Sequence, residues 1–156
     1  MKREKVILIL KYYRDIDKAV RLNERVIKNL EDQYYSTLGA ANMDGMPHGS
    51  AVASPVEAAV LNVPASVKVT IDDLNRENAK LAKLKAAILA DINRLTYHQR
   101  AVVIAFYIDG RQWEHISEQI NYSPRQCRNI RDEALSILGK HFGQNKTVSR
   151  FVFPQK

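Results

Sequence analysis

Between positions 4 and 38 the chain contains neither proline nor glycine, and apolar residues return at Val6, Ile9, Tyr13, Ile16, Val20, Ile27, Leu30 and Tyr34. This is the a and d spacing of a heptad, so the segment predicts one long helix with an apolar stripe along one side. Such a helix spans about 50 Å at 1.5 Å per residue and cannot bury its stripe alone. A second stripe lies at Val67, Ile71, Leu74, Asn78, Leu81, Ile88, Ile92 and Leu95, interrupted by Asn78 and Lys85. Asn23 is the polar member of the first stripe. A polar residue in a seam sets register or partner number at a cost in stability. The two stripes therefore predict an antiparallel helical hairpin, or a coiled-coil homodimer through the N-terminal helices.

Between the stripes, residues 39–55 (GAANMDGMPHGSAVASP) replace periodicity with Gly, Pro, Ser, Ala and Asn and read as a loop. Neither G-x-x-x-x-G-K nor G-x-G-x-x-G can be written across it. His48, in Met46-Pro47-His48-Gly49, has no nucleophile or placed carboxylate beside it, so no catalytic role is expected there. Ser54-Pro55-x-Glu57 has the form of a capped helix start. Pro64 should kink or break that helix, and the β-branched run over 67–71 lowers helix propensity.

From Leu95 to Gly139 the chain reads as three helices with very short breaks, over 96–107, 112–120 and 123–138. Asp109-Gly110 ends the first, because glycine takes a positive φ without steric cost. Asn121-Tyr122 makes the second break. Ser123 then serves as N-cap, Pro124 as first helical residue and Gln126 as the third member of an S-x-x-Q capping box. Val102, Val103, Phe106, Trp113, Ile116 and Ile120, with Cys127, Ile130, Ala134 and Ile137 or Leu138, form a predicted trihelical core. Trp113 is assigned to that core rather than to a stacking platform. The other faces of the last helix carry Arg125, Gln126, Arg128, Asn129 and Arg131 in its first turns. Arginine pairs bidentately with guanine, asparagine or glutamine with adenine, and all of them hold phosphates, so this is the content of a recognition helix. Ser123 at the cap and Arg111 in the preceding turn complete the predicted DNA-contacting set.

The residues from Leu95 through Tyr107-Ile108-Asp109-Gly110, Trp113-x-x-Ile116, Ser123 and Ala134-Leu135-x-x-Leu138 resemble region four of the bacterial primary sigma factors. The resemblance covers about 45 residues, with Cys127 where the family usually has Val or Ile. The chain as a whole resembles phage-encoded late-gene transcriptional regulators of the ArpU and RinA type. Those attach such a domain to a longer helical part, and a Met-Pro-Gly segment also follows their first helix. The resemblance implies an all-α protein in three parts: a long-helix assembly region over 1–93, a helix-turn-helix DNA-binding domain over 94–142 and a tail over 143–156. It also implies a sequence-specific regulator of phage or prophage genes in the bacterial cytoplasm, acting at promoters with host RNA polymerase as a partner.

Charge agrees with a polyanionic partner. The chain of 156 residues carries a net +7; residues 96–156 have nine Lys and Arg against five Asp and Glu, and residues 41–95 six against six. No apolar run approaches the ~18 residues of a membrane span, and Lys11, Arg14, Asp15 and Asp17 interrupt any signal-like segment. One cysteine excludes an internal disulfide, and His48, His98, His115 and His141 lack ligand spacing. Neither metal nor cofactor is expected, and no catalytic constellation marks an enzyme. Two other classes share these features. A sigma-like module contacting polymerase alone would not require the Arg125 to Arg131 face, and a small-terminase-like packaging protein would form rings. For the tail, with Val148, Phe151 and Phe153 between charges, disorder, packing on the helices and docking on a partner all stand open.

Overall fold

The computed structural model describes residues 1–41 and 65–154, and among these there is helix and turn but no strand, an all-α chain. The elements are α1 (Arg3–Ala41), α2 (Ala65–Asn93), α3 (Tyr97–Val103), continued by a π-helical turn (Ile104–Ile108), α4 (Trp113–Ile120), α5 (Pro124–Gln144) and α6 (Lys146–Arg150). Residues 39–41, expected in a loop, continue α1. The Met46-Pro47-His48-Gly49 motif, the Ser54-Pro55 helix start and Pro64 lie outside the described residues. The β-branched run over 67–71 is helical. Propensity penalties of a few tenths of a kcal/mol per residue are offset by the partial cover of Val67 and Ile71.

The chain divides into two compact units, Ala19–Ala79 and Met1–Lys18 with Lys80–Lys156. In the first, α1 and α2 run antiparallel. Asn23 Nδ2 donates to Asn78 Oδ1 at 2.9 Å, while Leu30, Glu31, Tyr34 and Tyr35 share a cleft with Val67, Lys68 and Ile71. The two seam asparagines thus share one hydrogen bond in a half-covered seam, worth about 0.5–1.5 kcal/mol.

The second unit holds the core. Val6, Ile9, Leu10 and Ile16 of α1 are buried, as are Leu81, Leu84, Ile88 and Ile92 of α2 and Leu135, Leu138 and Phe142 of α5. The expected interruption of the second stripe at Lys85 does not occur, because Leu84 takes the inward position. Lys85 turns to the rim instead, where it pairs with Asp17 and lies 5.6 Å from the centre of the Tyr13 ring. Helix α5 continues six residues past the expected end at 138, through two glycines. The Met1 amine donates to the Gly139 carbonyl at 2.8 Å, and a Cβ at 139 would stand 3.1 Å from the Met1 carbonyl oxygen. Glycine is there for that approach, and buried Phe142 one turn on anchors the extension. Asn145 then caps α6, its Oδ1 accepting from the Thr147 and Val148 amides while its Nδ2 donates to buried Asp91. Beyond α6 the tail packs on the helices: Phe151 and Phe153 lie 5.7 and 5.4 Å from the Tyr12 ring.

Candidate nucleic-acid interface

Three local devices shape α3 to α5. At the head of α3 the Thr96 amide donates to Gln99 Oε1 at 3.3 Å, a capping contact not anticipated although T-x-x-Q is present in the sequence. After the π-helical turn, Gly110 takes φ 71°, and the Arg111 amide donates to the Ala105 carbonyl at 2.8 Å. Asn121 ends α4 at φ 55°, a left-handed conformation that asparagine tolerates better than most residues. Two residues later the expected cap forms. Ser123 Oγ accepts from the Gln126 amide at 3.2 Å, and Gln126 Oε1 accepts from the Ser123 amide at 3.1 Å, with Pro124 in the first turn.

Val102, Ala105, Ile116, Ile120 and Cys127 close the centre of the three helices, and Ala101, Phe106, Trp113, Tyr122 and Ile130 pack around them. Cys127 is wholly buried, its Sγ 3.8 Å from the Tyr122 carbonyl oxygen, and burial pushes its thiol above the usual value. It is a small apolar filler that docks α5 on α4.

On the outer side of α5, Ser123, Arg125, Gln126, Arg128 and Asn129 are exposed. Among the described residues the side chains of Arg125 and Asn129 make no hydrogen bond or ion pair, so their donors are open to solvent. Gln126 is different. Its amide oxygen is held by Ser123, so a bidentate pair with adenine would break the cap, whereas donation to a phosphate would not. Arg128 extends over Trp113, 5.8 Å from the ring centre. Arg131 is diverted: its Nε and Nη2 both lie 2.7 Å from Asp132 Oδ1, its guanidinium is 5.3 Å from the Trp113 ring, and its side chain is only 20% exposed. Arg111 is exposed, loosely paired with Asp109 at 3.9 Å. The structure therefore brings Ser123, Arg125, Gln126, Arg128 and Asn129 onto one end of α5, sets Arg111 before α4, and turns Arg131 inward.

Two residues of this surface were not anticipated in the roles they take. Trp113 is half-buried against the core, stacked on Phe106 at 4.2 Å and 21°, but its ring also supports two guanidinium groups. The i, i+3 spacing of Arg128 and Arg131 was the available signal. The other is Arg3, whose Nη2 donates to Asp132 Oδ1 across 129 positions of sequence. The Arg131 hydrogen bond, helped by the charges of Arg131 and Arg3, holds the Asp132 carboxyl below its ordinary value despite partial burial. Nearby Tyr107 is buried, and desolvation raises its hydroxyl against the opposing pull of the same two arginines. Among the described residues no group of His, Cys, Asp or Glu could hold a metal ion, and no helix is long and apolar enough to cross a membrane. No family model, curated protein or solved structure matches this chain.

Proposed function

We propose that α3 to α5 form a helix-turn-helix of the sigma region-four kind, and that the protein binds duplex DNA sequence-specifically as a phage or prophage transcriptional regulator. It acts at promoters together with host RNA polymerase. The observation that carries this reading is the open stripe of Arg125, Arg128 and Asn129 at the N-terminal end of a helix that is capped and docked through Cys127. Rigid docking positions such side chains, and guanidinium and carboxamide groups match base edges and phosphates.

The test is selection of bound duplexes from a random pool, then titration of variants on the selected site and on random duplex. Arg125→Ala or Asn129→Ala should cost about 1–3 kcal/mol on the selected site and less on random sequence. Affinity should fall with salt, with a log-log slope of about 0.9 per neutralised phosphate. Binding that ignores both salt and the combined substitution of Arg125, Arg128 and Asn129 removes the reading. A footprint that gains or extends protection when polymerase is added tests the promoter role.

A further inference from the structure

We propose that the DNA-facing surface does not end on α5 but extends onto the first turn of α1, where Arg3 makes a phosphate contact and, with Arg131, offsets the charge of Asp132. This rests on the DNA-binding reading above. Residues 125, 128, 129 and 132 follow i, i+3, i+4 and i+7, so Asp132 stands on the same helical stripe as Arg125, Arg128 and Asn129. A bare carboxylate there would repel the phosphate backbone, since it falls within the Debye length of about 10 Å from the rest of the stripe.

The carboxylate is not bare. Arg3 Nη2 and both Nε and Nη2 of Arg131 converge on the same Oδ1, leaving the three-residue cluster with one net positive charge. Arg131 is committed to the protein by that pair and by Trp113. Arg3 keeps its side chain 53% exposed, so the accessible positive charge of the cluster is the Arg3 guanidinium. Its hydrogen bond to Asp132 uses Nη2, and a guanidinium has five N–H donors, so it keeps donors to offer a phosphate oxygen.

The turn that carries Arg3 is fastened. The Met1 amine is on the Gly139 carbonyl, and the Lys2 carbonyl accepts from the Lys5 and Val6 amides at 3.1 and 3.2 Å. An exposed ion pair used only as a clasp between α1 and α5 would contribute about 0–1 kcal/mol of stability and leave DNA binding unchanged.

The experiment compares intact wild-type protein with Arg3→Ala, Arg3→Lys, Asp132→Asn and Arg125→Ala, measuring duplex affinity across a salt series and thermal stability of each. Arg3→Ala should weaken cognate and random duplex alike and reduce the salt slope by about 0.9, one phosphate contact. Arg3→Lys should keep the slope. Asp132→Asn should tighten binding, because it removes the acid from the stripe, although it and Arg3→Ala both lower thermal stability slightly. Opposite signs on DNA with the same sign on stability are the signature of a phosphate contact. If wild-type binding is salt-dependent and Arg3→Ala leaves the slope unchanged, Arg3 is a clasp only; this inference is then overturned and the DNA-binding reading stands. Arg3→Ala and Asp132→Asn changing affinity in the same direction also overturns it, as an effect transmitted through the fold. A wild-type protein with no salt-dependent duplex binding overturns both.

Discussion

At the scale of single residues, Asp132 governs how much of the basic stripe is free. It binds Arg131 with two nitrogens and Arg3 with one, and its carboxyl titrates below its ordinary value chiefly because of the Arg131 hydrogen bond. A carboxylate whose folded value is depressed contributes stability that is complete above the unfolded value, near 3.9, and is lost as pH falls through the lower folded value. Wild type should therefore exceed Asp132→Asn in stability at neutral pH, and the gap should close on acidification below about pH 4. The Asp132 side chain is 43% exposed, so the gap is small and shrinks further with salt. Denaturant melts of both proteins from about pH 2 to about pH 7, spanning the unfolded value, measure it. A gap that persists undiminished at the acid end contradicts the ion pair as its source.

At the scale of the element, α5 depends on its first turn, where Ser123 is both the cap and a candidate DNA contact. Ser123→Ala removes the acceptor for the Gln126 amide and should cost about 1 kcal/mol of unfolding free energy. Ser123→Asp restores a capping acceptor and adds a charge suited to a helix N-terminus, so it should recover stability. The same carboxylate stands beside Arg125 and should weaken duplex binding. Stability and affinity thus move apart in Ser123→Asp, and parallel recovery of both would show that the residue acts on DNA only through the helix it caps.

At the scale of the whole molecule, the two units differ in how well they close. The unit with Val6, Leu84, Ile88 and Phe142 has a core of fully buried side chains. In Ala19–Ala79 no described side chain is buried: Val20, Asn23, Ile27, Leu30, Tyr34, Val67, Ile71 and Leu74 are half-covered, and Leu22 and Val69 are 58% and 56% exposed. Two helices cover one side of each other only, and amphipathic helices of this kind reach full burial by adding partners. The intact chain is expected to self-associate through this unit, with light scattering reporting the mass. Leu22→Glu combined with Val26→Glu should shift it to monomer and, if two DNA-contacting faces share one duplex, weaken binding by a factor on the order of 10². A wild-type protein that stays monomeric at the highest attainable concentration excludes the expectation. Deleting residues 1–18 should act differently and unfold the other unit, since it strips Val6, Ile9, Leu10 and Ile16 from that core.

Most of the helical structure was legible because it rests on short-range physics. Heptad spacing at Val6 to Tyr34, the Asp109-Gly110 turn and the Ser123-Pro124-x-Gln126 cap are decided within a few residues, and they stand where their spacing put them. The meeting of Asn23 with Asn78 required the chain to fold back. So did the preference for Leu84 over Lys85 in the seam, since both fit the period within one residue and only the position of α1 separates them. The open stripe at Arg125, Arg128 and Asn129 was readable from helical spacing. The withdrawal of Arg131 from it combines a local cause, Asp132 next to it in sequence, with contacts from other elements, the Trp113 ring and the Arg3 that shares the acid, and only the latter leave no periodic trace in a sequence.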